Sequence, residues 1–188
     1  MQLSPKERVE FSKNYTTLKT REAGVMALLY PKKGVTYLVL ILRTTYDGAH
    51  SGQVALPGGK REKSDYNLWE TALREVEEEI GIRNSDITLI KPLTSLYVPT
   101  SDFRVYPFLA TSTAVLQFTL QETEVAELIE MPLSYLIEHK KIDDVVIEVA
   151  KKKFLEVPAF EFKQQIIWGA TAMILNELKQ LLIDSFDV

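Results

Sequence analysis

Arg74 to Ile82 read Arg-Glu-Val-Glu-Glu-Glu-Ile-Gly-Ile, with carboxylates at Glu75, Glu77, Glu78 and Glu79, shortly after the pair Gly58-Gly59. Like charges three or four apart on a helix repel by a few tenths of a kcal/mol per pair. A helix that needed only a wetted face would intersperse lysines, so this cluster is expected to have a cation to compensate it. At about 100° per residue, Glu75, Glu78 and Glu79 fall in one arc of roughly 100° and Glu77 points to the other side. Trp69, Ala72, Leu73, Val76 and Ile80 form an apolar stripe. The spacing predicts a helix over about 67–80, ended by Gly81, with one face for the core and one face of three carboxylates. Hard oxygen donors of this kind suit Mg2+ or Mn2+, which favour a few carboxylates together with water and phosphate oxygens; the other reading of such a charge run is a glutamate-rich solvated helix.

Outward from that helix, Ser51 to Lys60 is a glycine-rich loop around a short strand at Gln53–Leu56. Ala23–Tyr30 and Val35–Arg43 are apolar, β-rich runs parted by Pro31-Lys32-Lys33-Gly34, and they read as a hairpin. Ser4-Pro5 with Glu7 is a helix-start signal, giving a helix at about 5–13. Downstream, strands are expected at about 86–98, 103–111 and 124–130, with turn residues at Pro99 to Asp102. Pro132 opens a short helix to about 139. Asp144 to Phe154 reads as a second hairpin, because Val145, Val146, Ile147 and Val149 run into lysines. Ile167, Ala170, Ile174, Leu178 and Leu181 have helical spacing, which predicts a closing helix over about 164–182. Strands set between helices imply an α/β fold, a mixed sheet covered by helices.

At 188 residues, 46% hydrophobic and 26% charged, the chain has enough apolar material for one domain with a sizeable core, and 1–188 is read as such. The absence of cysteine excludes disulfides, thiolate metal sites and cysteine nucleophiles. No run approaches the roughly 18 uncharged apolar residues of a membrane span or forms a secretory leader, so a cytoplasmic location is expected. A net charge of −4 offers no general attraction to nucleic acid or anionic membrane. A small phosphorylated metabolite fits that balance better than a polymer.

Gly59, five residues, Asp65, eight residues and then the 74–82 segment resemble the Nudix box. That signature is a glycine, five residues, a glutamate, seven residues and R-E-U-x-E-E-x-G-U, with U bulky and aliphatic. A chance match of Arg74, Glu75, Glu78, Glu79 and Gly81 with Val76 and Ile82 is on the order of one in a million or rarer. Asp65 in place of glutamate and the longer gap are similar to the coenzyme A pyrophosphatase branch of the family. So is the approach Arg43-Thr44-Thr45, His50 and Gly52-Gln53-Val54-Ala55-Leu56-Pro57-Gly58-Gly59, in which Leu56 replaces a phenylalanine and Gly48 replaces an arginine. Val157-Pro158-Ala159-Phe160 and Ile167-Trp168-Gly169-Ala170-Thr171-Ala172 resemble the end of that branch. The lack of cysteine counts against the isopentenyl diphosphate isomerases, which are related in fold.

The resemblance implies a Nudix-type α/β/α sandwich and metal-dependent hydrolysis of the pyrophosphate in a nucleoside diphosphate derivative. It implies Glu75, Glu78 and Glu79, with the Gly59 carbonyl, as metal ligands for Mg2+ or Mn2+, and Arg74 as the residue that orients the glutamates. The general base is either a box glutamate such as Glu78 or a carboxylate on a later loop, for which Glu124 is the candidate; its other reading is a solvated acid before a strand. Arg43, His50, Gln53, Gly58 and Arg104 are candidates for substrate contact. Arg104 is equally readable as a surface charge, and the stretch from Tyr97 to Tyr106 as pocket lining or a homodimer contact. Trp168 reads first as core. The favoured substrate is coenzyme A or a derivative, cleaved to 3′,5′-ADP and 4′-phosphopantetheine. Gly48, which removes a guanidinium from the expected phosphate contacts, keeps ADP-ribose or dinucleotide pyrophosphatase as the alternative. A non-catalytic ligand-binding module is the third reading, and such modules typically lose the box glutamates present here.

Overall fold

The apolar run at 23–30 is buried on both faces, which is the mark of a central strand. It forms β1 (Arg21–Lys32), and its neighbour is β2 (Val35–Arg43), antiparallel through the turn at Lys33-Gly34, with Tyr30 opposite Tyr37 and Leu29 opposite Leu38. The computed structural model describes residues 20–45, 50–138, 143–149 and 153–186. The expected helix at 5–13 and Gly48 lie outside them.

On its other side β1 pairs in parallel with β7 (Phe103–Thr111), so the sheet is mixed. Its backbone order is β3-β2-β1-β7-β5, with β3 at Val54–Ala55 and β5 at Thr88–Pro92. β4 (Gly58–Lys60) adds to β1, β6 (Leu96–Val98) to β7, and β8 (Val125–Pro132) to β2. The single strand expected at 86–98 is in fact a 3₁₀ turn at Asn84–Asp86 followed by β5 and β6. A register shift between Leu89 and Lys91 and the Pro92 ring interrupt the ladder there.

Alternating residues of β1 and β2 feed two cores. Met26, Leu28, Tyr30, Val39 and Ile41 pack under α1 (Leu68–Ile80) against Ala72, Val76 and Ile80. Ala27, Leu29, Leu38 and Leu40 face the other way, onto α2 (Leu133–Glu138), α3 (Gly169–Phe186) and a three-stranded sheet. That sheet runs β11-β10-β9, with β9 at Asp143–Val149, β10 at Lys153–Phe162 and β11 at Gln165–Trp168. Helices thus cover both faces of the mixed sheet, as the sequence led us to expect.

The closing helix begins at Gly169, not at 164. Ile166, Ile167 and Trp168 instead pair with Glu161, Phe160 and Ala159 in a hairpin turned by Lys163 and Gln164 at φ 50° and 65°. A single buried residue such as Ile167 fits either periodicity, a helical stripe or a strand. Trp168 accordingly sits on a strand and not on an amphipathic helix.

Candidate active site

Asn67 caps α1 by accepting a hydrogen bond from the Glu70 N–H at 2.9 Å, and Gly81 closes it in the left-handed conformation, donating to the Glu77 carbonyl. These local signals set the rotation of the helix. Val76 and Ile80 go inward while Glu75, Glu78 and Glu79 line one side, with side chains 14%, 56% and 1% exposed respectively.

Glu79 is the deepest of the three. Its Oε2 accepts the Gly58 N–H at 2.8 Å, and its Oε1 lies 3.3 Å from Nη1 of Arg43. Burial pushes its pKa from 4.5 to about 7; the Gly58 N–H and Arg43 oppose that rise, and the charges of Glu75 and Glu124 add to it. Gly58 reaches this position at φ 141°, and a Cβ there would lie 2.4 Å from the Gly24 carbonyl oxygen, so only glycine can present that N–H. Glu75 is likewise raised by burial, against the pull of Arg74 at 3.0 Å. Its carboxylate occupies the space left by Gly59, where a Cβ would fall 2.4 Å from Oε2.

Arg74 ties the segment together. It donates from Nε and Nη2 to the two oxygens of Asp65 at 3.1 and 3.2 Å, from Nη2 to the Lys60 carbonyl at 3.0 Å and from Nη1 to Glu78 at 2.8 Å. Asp65 also accepts from the Thr71 hydroxyl and the Glu62 N–H, and with Arg74 foremost these hold its pKa down at about 2. Thr71 is fully buried. No role was read for Thr71 from sequence; the available signal was a hydroxyl within the apolar arc, a group that must find a partner when buried.

Glu124 is brought in through the backbone. The Gln121 N–H donates to the Glu79 carbonyl at the end of α1, the Glu124 N–H to the Gln121 carbonyl, and the Thr44 N–H to the Glu124 carbonyl. The loop therefore fastens the C-terminus of α1 to the end of β2, and the exposed Glu124 carboxylate is close enough to raise both Glu75 and Glu79. His50 Nδ1 lies 3.2 Å from Gln53 Oε1, and the Gln53 carbonyl accepts the Arg43 N–H, so these three expected contact residues sit together at the mouth of β2. Arg104 stands in register with Glu22 and Tyr97, and its charge is felt by Tyr106.

Among the described residues no three carboxylates are drawn together as a ready metal cage; guanidinium groups stand beside them. The donor set nonetheless suits a divalent cation. Burial raises the pKa of both Glu75 and Glu79, Arg74 and Arg43 offset it only in part, and both side chains offer hard oxygen. Among the described residues no helix is long and apolar enough to cross a membrane.

A family model described as a NUDIX domain matches residues 20–150. The Nudix hydrolase NudL of Pectobacterium atrosepticum is 36% identical over 150 residues, 78% of this chain and 76% of its own. NudL of Yersinia pestis is 31% identical over 183 residues, 96% and 89% of the two chains. Among solved structures, RenU, a Nudix hydrolase from M. smegmatis, aligns with a TM-score of 0.59 at 15% identity over 88% of this chain and 87% of its own.

Proposed function

The chain belongs to the Nudix hydrolase family, and from that premise we propose that it is a coenzyme A pyrophosphatase, cleaving coenzyme A or its derivatives to 3′,5′-ADP and 4′-phosphopantetheine. Nudix hydrolases generally use divalent metal ions and act on small nucleotide derivatives. One contact carries the narrower reading. The Thr171 hydroxyl donates to the Val54 carbonyl at 3.2 Å, joining two segments 117 residues apart. These are two of the stretches that resemble the coenzyme A branch, the Gly52–Gly59 approach and the Ile167–Ala172 element. The second also pairs through Ile167 with Phe160 of the Val157–Phe160 element. Motifs that meet in space can jointly shape one substrate site.

Glu75, Glu78 and Glu79, with the Gly59 carbonyl, would hold Mg2+ or Mn2+. A divalent cation held there would neutralise pyrophosphate charge and acidify a bound water. The remaining work falls to the chain. Arg74, anchored on Asp65, keeps Glu75 and Glu78 in their rotamers. Gly58 does the same for Glu79. Glu124 is the general base that takes the proton of the attacking water, because it is exposed beside Glu75 and Glu79, whereas Glu78 is held by Arg74 at 2.8 Å. Arg43, His50, Gln53 and Arg104 bind the substrate.

The test is chromatography of products after incubation with Mg2+ and a panel of coenzyme A, dephospho-coenzyme A, ADP-ribose and NADH. 3′,5′-ADP released from coenzyme A, with dephospho-coenzyme A left intact, is the expected result. Cleavage of ADP-ribose or NADH instead would make this a dinucleotide-type enzyme and Gly48 its specificity marker. No cleavage at all would favour a ligand-binding module.

A further inference from the structure

We propose that Arg43 is an exchangeable counter-ion of Glu79: its guanidinium neutralises the buried carboxylate until a divalent cation takes over, and it is then released to the phosphates of the substrate. The inference rests on the metal reading of Glu79 given above, and it adds a coupling between cation loading and phosphate binding.

The two arginines of the site are held very differently. Arg74 donates twice to Asp65 and also reaches the Lys60 carbonyl, Glu75 and Glu78, and it keeps the Asp65 anchor whatever happens at the glutamates. Arg43 meets Glu79 through one contact of 3.3 Å. The backbone around Arg43 is pinned, its N–H to the Gln53 carbonyl and the following Thr44 N–H to the Glu124 carbonyl. The strand stays in place while the side chain alone is able to move. The β2–β8 register slips between Leu42 and Arg43, passing over Ala126, and such a bulge re-aims the side chain beside it.

Glu79 does not need Arg43 to keep its orientation, since the Gly58 N–H holds the other oxygen at 2.8 Å. Once ionised it does need a cation. A buried carboxylate stripped of its partner is costly, so Arg43 leaves readily only when another positive charge arrives. The guanidinium, a quarter exposed on a residue whose backbone N–H meets the Gln53 carbonyl, is then a free planar donor of the kind that grips phosphate in bidentate fashion.

The proposal predicts opposite signs for two affinities. Mn2+ binding to the substrate-free protein, followed by calorimetry or electron paramagnetic resonance well above the carboxylate range at about pH 8.5, tightens about tenfold in Arg43→Gln, because a positive charge close to the ligand has gone. Arg43→Lys stays close to the parent. Inorganic pyrophosphate, titrated under saturating Mg2+, binds about tenfold more weakly to Arg43→Gln. A merely structural defect would weaken both, and that result, or no change in Mn2+ affinity, overturns the proposal. A parent chain that binds no Mn2+ overturns it together with the metal reading. Should Arg43→Gln fail to fold, the parent chain decides: the Arg43 Nε–H resonance moves as Mg2+ is added, and an unmoved resonance at saturating Mg2+ sinks the idea.

Discussion

Arg74 grips Asp65 with two hydrogen bonds, Nε to Oδ1 at 3.1 Å and Nη2 to Oδ2 at 3.2 Å, and the same guanidinium reaches Glu78 and Glu75. The aspartate of the loop before the helix therefore positions the glutamates at one remove. It does so as a carboxylate held far below its ordinary pKa, chiefly by this arginine.

Asp65→Asn removes that grip and leaves Thr71 and Arg74 with a weaker partner. Folded-state depression of an acid contributes stability above its unfolded pKa near 4, and the contribution is lost as pH falls from about 4 to about 2. Asp65 is buried but the Arg74 side chain is 23% exposed, and solvent screening through it leaves about 1–2 kcal/mol of this. Urea unfolding at neutral pH should show a loss of that size for Asp65→Asn, shrinking towards zero near pH 2. An equal deficit at both pH values would mean that packing and not charge is responsible.

Glu79 has the opposite sign. Its folded pKa of about 7 lies above the free value of 4.5, so between those values the folded chain binds more protons than the unfolded one. Stability of the metal-free chain therefore falls as pH rises from about 4.5 to about 7, and levels off above, by an order of 2–3 kcal/mol. In chelator-treated protein, Glu79→Gln should flatten this slope, and Mg2+ should restore the parent at pH 8. A Gln variant that keeps the parental slope would refute the assignment to Glu79.

The same substitution is expected to lower turnover by about 10³-fold or more with the fold intact, since a neutral amide still accepts from Gly58 but binds a divalent cation poorly. Circular dichroism and steady-state rates on the same preparation check both halves. Near-full Mg2+-dependent activity would remove Glu79 from the ligand set.

At Gly59, even one methyl group matters. Gly59→Ala places a Cβ against the Glu75 carboxylate, 2.4 Å from Oε2 before any adjustment. The side chain must swing away. Mn2+ affinity should drop by about tenfold with a stability change of about 1 kcal/mol. Unaltered Mn2+ binding would show that Glu75 does not need its present rotamer.

Glu124→Gln separates the two candidate bases. If Glu124 takes the proton, kcat falls by about 10²-fold or more while Mn2+ affinity changes little. Glu78→Gln should then disturb metal binding more than the pH profile. A Glu124→Gln enzyme with parental kcat would return the base to the box helix.

Much of this protein was readable one element at a time. α1, its three-acid side, its cap at Gly81 and the β1–β2 hairpin follow from periodicity and capping, which are physical rules about residues a few positions apart. The same rules failed where two periodicities fit one stretch. Ile167 could close a helical stripe or fill a strand, and only pairing with Phe160 decided for the strand.

The chain alone carried the kind of chemistry through the likeness of residues 59–82 to the Nudix box, since an acid-rich helix without that context reads as a solvated face. The folded arrangement settles which polar groups meet: Arg43 with Glu79 across 36 residues, Asp65 with Thr71 and Arg74, and Glu124 beside Glu75 and Glu79. Such meetings leave no local periodicity. They arise when sheet register and the 119–124 loop bring distant backbones together, and the low dielectric of the folded interior then makes each of those charges count.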